Sequence, residues 1–419
     1  MKKRNTYDII IIGSGMAGLY AAYNIQKLSP NLSFLILEKY KKTWIGGRTS
    51  NDDFYGTQIV TGAGIGREDT NPLLIQLMKE LHVPYTKSIS KMDYSQTINT
   101  PVDPESIIRF LRKKYKNHTN LHKLPFKEFA EKMLGKELYK DFLVSAGYQD
   151  FEKADIQETL YNYGMDDNKG GWPVLYIPWK KLVLTLADKI GWNHFCFSQN
   201  VKEIKQEKEK DLDLDLFELL CENGDTFYCE KVIIATTINS IQKLMDPLVP
   251  NMKPIYKQIH GQPFLRLYGK FDKKSAEIME KIVHNYTIVP GPLQKIIPMN
   301  AVKGIYMISY SDNKNAVLLH KHFADTPEFR YYIANLVCKA FGLPKDSLTI
   351  IAVKEYYWEI GTHYYEPLKG FNSRKEFVEE VQHPLKNILV VGEAVSRYQG
   401  WTEGALESVE IGLTKKWLQ

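Results

Sequence analysis

The sequence predicts an α/β fold, in which a parallel sheet forms one discontinuous domain and a second domain is of the α+β type. Three observations carry this. Ile9-Ile10-Ile11-Ile12 is an unbroken β-branched run, as expected for a parallel strand buried on both faces. A glycine-rich turn, a helical stretch and a second apolar run follow it at once. Near the far end, Ile388-Leu389-Val390-Val391 is another apolar strand, again leading into glycines and a helix start.

The chain has 419 residues, 44% of them hydrophobic and 25% charged, enough apolar material for two or three domains. That composition excludes disorder, collagen-like repeats and coiled coil for the whole chain. Fifty-five basic residues against 49 acidic give +6, too weak a bias over this length to indicate nucleic acid, and no such partner is expected. Four cysteines (Cys196, Cys221, Cys229 and Cys338) form neither a disulfide framework nor a zinc motif, so free thiols and no metal are expected. Cys221 and Cys229 flank a turn at Asn223-Gly224 and are placed to face each other. The charged start followed by Ile9–Ile12 imitates a signal peptide, but glycines cut the apolar run short. No run of 18 apolar residues exists, so no membrane helix is expected and the predicted location is cytoplasmic.

Gly13-Ser14-Gly15-Met16-Ala17-Gly18 lies between the first strand and a helix over Leu19–Leu28, which Ser29-Pro30-Asn31 stops. Leu32–Leu37 is the next strand, and it ends at Glu38. In that context a G-x-G-x-x-G loop reads as a dinucleotide site of Rossmann type. Gly13 allows the turn, Gly15 lets backbone approach a pyrophosphate at the helix N-terminus, and Gly18 lets helix and strand pack closely. Glu38 can accept hydrogen bonds from ribose hydroxyls and would repel a 2′-phosphate, which disfavours NADP. The fingerprint alone leaves FAD and NAD open. A second glycine-rich pair, Gly46-Gly47-Arg48 with Thr61-Gly62-Ala63-Gly64-Ile65, adds backbone N–H groups and a guanidinium, which the longer FAD needs and NAD does not.

These blocks, with Lys231-Val232-Ile233-Ile234-Ala235-Thr236-Thr237 and with Gly392-Glu393 followed by Gly400-Trp401-Thr402-Glu403-Gly404-Ala405, resemble the flavin-containing amine oxidase family. Its members include monoamine, polyamine and L-amino-acid oxidases. The resemblance covers roughly a third of the chain. It implies non-covalent FAD, since the stretch where monoamine oxidases carry a linking cysteine has none here, and no linkage through His363 is expected. It implies a cofactor set of Gly13, Ser14, Gly15, Met16, Ala17, Gly18, Glu38, Lys39, Gly47, Arg48, Gly62, Ala63, Gly64, Ile65, Val201, Trp358, Gly392, Glu393, Trp401 and Thr402. Thr402 is placed to cap a helix reaching Lys416, whose N-terminal N–H groups would face the flavin. Trp401 and Tyr364, with Tyr365 as the alternative, stand where relatives flank the substrate amine with aromatics. Arg266 stands where many relatives have a lysine near the flavin, and strand alternation sets it on one face with Tyr268 and Lys270. Arginine cannot become neutral, so a role needing a neutral amine is in doubt.

Residues 1–85, 195–250 and 380–419 are expected to form the FAD domain, and 86–194 with 251–379 the α+β substrate domain. The loop Tyr40–Ile45 is two residues longer than in relatives, with Lys41 and Lys42 in solvent. Asp211–Leu220 alternates as a half-wet strand after a solvated turn at Lys205–Lys210. Phe126–Leu143 has helical periodicity, Ser106–Tyr115 is a basic helix face, and Gly170-Gly171-Trp172-Pro173 turns into a helix over Trp179–Ile190. The expected activity is an FAD-dependent amine oxidase: hydride transfer from an amine C–H, an imine product, and O2 reoxidation giving H2O2. The alternatives are a related flavin enzyme of desaturase, porphyrinogen oxidase or sugar mutase type, and a non-catalytic flavin protein.

Overall fold

The β-branched run lies within a strand, Thr6–Ile12, whose side chains divide between two cores as a two-residue repeat requires. Ile9 and Ile11 enter one apolar cluster, and Ile10 and Ile12 enter the other. In the computed structural model, which describes residues 6–118, 121, 123–163, 170–209 and 214–419, this strand is central to a seven-stranded sheet. Phe34–Glu38 and Thr226–Ile234 flank it, both parallel. Phe195–Phe197 and Ile388–Val390 continue the parallel pairing outward from these. Leu214–Cys221 and Val201–Glu209 add an antiparallel ribbon at one edge. Helices Met16–Leu28, Trp179–Ile190 and Thr402–Gly412 cover one face, and Ile238–Leu248 with Arg374–Gln382 cover the other.

A six-stranded sheet stands beside it, in the order Ile350–Tyr365, Ile259–Phe271, Ile305–Asp312, Lys295–Asn300, Tyr286–Ile288 and Met92–Tyr94. Its two longest strands tie the sheets together. Their ends Ile259 and Tyr365 are buried in the core of the first sheet, and their inner residues Leu265, Leu267 and Val353 in the core of the second. Helices between residues 104 and 161 add a separate aromatic core around Phe126, Phe142 and Phe151. Among the described residues no helix is long and apolar enough to cross a membrane.

Several local expectations are corrected. Lys205–Glu209 is strand rather than turn: it continues the edge strand of the sheet, in which Val201 and Ile204 are buried and Lys205 and Gln206 are exposed. Residues 210–213 of that segment lie outside the described residues. The helix over Phe126–Leu143 is two helices, broken at Gly135, whose φ of 78° no helix interior accommodates. Cys229 pairs with Phe217 across the hairpin, so the two cysteines do not face each other; all four thiols are free. The C-terminal helix stops at Gly412, and a separate turn follows at Lys415–Leu418. Lys41 and Lys42 are exposed as expected, and the Lys42 ammonium also lies over the Trp192 ring, 3.7 Å from its centroid. The helix Trp179–Ile190 has the predicted bounds.

Candidate active site

Three glycine loops converge beyond the C-terminal end of the first strand. The first is 13–18, opening the helix Met16–Leu28. The second touches it: Gly46 donates its N–H to Ser14 O (3.0 Å), and Gly46 and Gly47 have φ of 93° and 57°, a conformation glycine adopts freely. The third touches the second: Ala63 N–H donates to Arg48 O at 2.7 Å, and a Cβ on Gly62 would lie 2.1 Å from that oxygen. Gly62 is therefore needed for a close backbone approach, and so is Gly18, where a Cβ would lie 2.0 Å from Gly13 O. Gly15 differs, since nothing lies within 4 Å of a Cβ built there. It faces a cavity of about 960 Å3, large enough for a cofactor and a small substrate.

Gly13, Gly15, Met16, Ala17, Glu38, Lys39, Gly47, Arg48, Gly62, Ala63, Gly64, Ile65, Val201, Trp358, Gly392, Glu393 and Thr402 all line that cavity, as do Arg266, Tyr364 and Trp401. Ser14 and Gly18 sit behind the wall. Ser14 donates its N–H and its hydroxyl to Glu38 Oε2 (2.8 and 2.7 Å), so one Glu38 oxygen shapes the loop that a ribose would meet. Trp358 donates its indole N–H to Thr61 O (2.7 Å), which anchors the third loop. Thr402 is the first helical residue and caps nothing; Trp401 occupies the cap position with extended backbone. Glu403 reaches away to accept from the N–H groups of Leu73 and Leu74 (2.9 and 3.0 Å), capping the helix Pro72–Glu80 from outside. These walls suit a flavin dinucleotide: a helix N-terminus and a side-chain-free cradle at Gly15 for the diphosphate, and a carboxylate at Glu38 for the ribose.

Glu393 lines the cavity and is also held from behind by protein donors. Oε1 accepts from His363 N (2.7 Å) and Gly400 N (2.9 Å); Oε2 accepts from His363 Nδ1 (2.7 Å) and Arg48 Nη2 (3.2 Å). Burial alone would push its pKa up, but His363 and Arg48 outweigh that and hold it well below the usual carboxylate range. His363 Nε2 accepts from Ile238 N–H (3.1 Å), so both ring nitrogens are engaged by protein.

Arg266 and Tyr268 share a face, donating to Gly62 O (2.8 Å) and Val60 O (2.6 Å), and a bulge follows Leu267. Arg266 also stacks on Tyr310, 4.1 Å from its centroid, and its Nη2 would be 2.9 Å from a Cβ on Gly64. Tyr364 stacks on His260, with centroids 5.2 Å apart. Trp401 carries the Arg67 guanidinium over its ring at 4.2 Å.

Groups that local pattern gives no sign of complete the cavity. Asp150 lines it and accepts from the Tyr163 hydroxyl. Burial, with Asp312 nearby, pushes its pKa up. Lys295 is wholly buried beneath, its Nζ 2.9 Å from the Tyr148 ring centroid and without a hydrogen-bond partner among the described residues. Burial pushes its pKa well down, against the pull of Asp312 and Asp150. They come from segments far apart in the chain, so only the fold unites them.

The chain matches two family profiles: a NAD(P)-binding Rossmann-like domain over residues 11–81 and a flavin containing amine oxidoreductase over residues 127–409. A protein of Acanthamoeba polyphaga mimivirus, described as uncharacterized, is 20% identical over 97% of this chain and 93% of its own length. Among solved structures, a double mutant of putrescine oxidase from a redesign of cofactor binding superposes with a TM-score of 0.76 at 14% identity, covering 99% of this chain and all of its own. Cyclohexylamine oxidase from Brevibacterium oxydans gives 0.73 at 16%, over 99% of this chain and 98% of its own. The Rossmann-like profile covers the first glycine loop, and the second takes in Arg266, the aromatic walls and Glu393, so the chain belongs to the flavin containing amine oxidoreductase family.

Proposed function

We propose that the chain is an oxidase that acts on the C–N bond of a small amine, with FAD held non-covalently. The observation that carries this reading is the junction of the three glycine loops with an aromatic cavity containing Trp401, Tyr364 and Arg266. When bound, FAD supplies the hydride acceptor and the reactivity toward O2 that yields an imine and H2O2.

The chain's residues do the rest. Gly15, Met16 and Ala17 present the helix N-terminus to the diphosphate, and Glu38 accepts from the ribose. Val201 would hold the adenine end, and Arg48, Gly47 and the 62–65 loop, which line the same cavity, would hold the middle of the cofactor. The N-terminus of the helix Thr402–Gly412 offers positive potential to the ring's electron-rich end. Trp401 and Tyr364 flank the amine and strip it of water, orienting the uncharged form. Arg266 is held by Gly62 and Tyr310, so it acts as a fixed donor toward the cavity and not as a base. Non-covalent binding is favoured by His363, whose nitrogens both have partners. Residues 1–85, 195–250 and 380–419 serve as the cofactor domain, joined by the helices Trp179–Ile190 and Arg374–Gln382 that pack on the same sheet, and the rest of the chain encloses the substrate.

Purified protein with FAD, assayed for peroxide on mono-, di- and amino-acid amines, tests this. Peroxide that follows amine consumption one for one supports the reading. A flavin-loaded protein inert to every amine refutes it.

A further inference from the structure

Trp401 and Tyr364 are far apart in the sequence, yet each follows directly after a residue whose backbone N–H is bonded to the same oxygen. Gly400 N and His363 N both donate to Glu393 Oε1, at 2.9 and 2.7 Å. The carboxylate itself is oriented by His363 Nδ1 at 2.7 Å on its other oxygen. The His363 side chain is fully buried. Its Nε2 accepts from Ile238 N–H, the first residue of the helix Ile238–Leu248, so the proton sits on Nδ1 and points at Glu393. Arg48 closes the set, donating to Glu393 Oε2 and to Gly361 O (2.8 Å), three residues before Tyr364. A helix terminus, an imidazole and a carboxylate thus form one rigid line that ends at both aromatic walls. Each bond to a charged acceptor in a dry site is strong enough to hold its donor in place.

We infer that His363 is a positioning residue, which through Glu393 sets the gap between Tyr364 and Trp401 and with it the fit of the substrate. This rests on the amine-oxidase reading above. His363 touches no reacting atom; it acts by turning the Glu393 carboxylate so that one oxygen receives both backbone donors.

Three variants of the FAD-loaded protein test this. His363→Asn keeps an N–H near the Nδ1 position, His363→Gln moves it toward the Nε2 position, and His363→Leu removes it. Rates are divided by flavin content, so that lost protein or cofactor does not count. With His363→Leu and His363→Gln, kcat/KM for the best amine should fall about tenfold to a hundredfold, as expected for walls misplaced by a fraction of an ångström. His363→Asn should restore it to within about threefold. The visible flavin band should move in the Leu and Gln proteins and return in the Asn protein. Leu and Gln variants with wild-type kcat/KM and an unmoved band overturn the inference, as does an Asn variant no better than Leu. If the wild type oxidises no amine, the amine-oxidase reading fails on its own. The band then decides the positioning role: superposable spectra in all four proteins overturn it.

Discussion

Gly15 and Gly18 sit three residues apart in one loop, and the structure assigns them opposite responses to a single methyl group. Gly15 has φ −69° and ψ 177°, extended backbone that any residue adopts, and a Cβ there meets nothing within 4 Å. Gly15→Ala should therefore fold normally. Exchanging glycine for alanine at a helix cap costs up to about 1 kcal/mol, and the stiffer unfolded chain offsets about 0.4–1 kcal/mol. The apoprotein's stability should change by less than about 1 kcal/mol. The methyl instead projects into the cavity where the diphosphate would press on backbone. An overpacked contact of this kind costs about 1–3 kcal/mol, which is about 5- to 150-fold in the dissociation constant of FAD. Gly18→Ala places its methyl 2.0 Å from Gly13 O and 3.3 Å from Ala235 Cβ, where ordinary contact starts at 3.4 Å. Helix and strand must separate, and stability should fall with or without cofactor. Thermal unfolding of the apoproteins, with quenching of flavin fluorescence on titration, gives both quantities. A Gly15→Ala protein that binds FAD as tightly as the wild type refutes the placement of the cofactor.

Three further outcomes follow from the cavity's charges. Glu393 has a depressed pKa in the fold, so its contribution is fully present above the ordinary glutamate value of about 4.3 and is lost as pH falls below it. Glu393→Gln should cost about 3–5 kcal/mol at pH 7, with the gap to wild type narrowing in acid; a gap independent of pH contradicts this. Asp150 has a raised pKa, so its ionisation opposes folding as pH rises above the ordinary aspartate value of about 3.9. Asp150→Asn should match the wild type near pH 4 and become relatively more stable toward pH 8, a trend that urea titrations at the two pH values would detect. Arg266→Met keeps the apolar stem but leaves Gly62 O without its donor, which costs about 1–3 kcal/mol. If Arg266 also receives a substrate carboxylate, KM should rise for amino acids and not for simple amines; an equal rise for both rejects that role.

What the sequence disclosed was local. Ile9–Ile12, the loop 13–18 and Glu38 each declare themselves by composition at short spacing, and they form the strand, turn and strand end expected of them. The helix Trp179–Ile190 was legible because glycines before it and Gly191 after it punctuate a periodic run. Lys205–Glu209 was not, because an edge strand can carry charge on residues that a central strand would bury. Glu393 shows the harder case. Its position in a glycine-rich turn pointed to the cavity, which it lines, but gave no sign of the donors from residues 48, 363 and 400 that its oxygens also meet. The pairing of His363 with Glu393, and of Asp150 with Tyr163 above a buried Lys295, depends on how loops and strands meet in three dimensions, and short-range pattern does not carry that.

The most direct test of the account is the visible spectrum of the purified protein, followed under anaerobic conditions as amines are added. The account predicts a flavin spectrum that bleaches with an amine and recovers, with peroxide, when air is admitted. A protein that stays colourless after incubation with FAD, or a bound flavin that no amine bleaches, contradicts it.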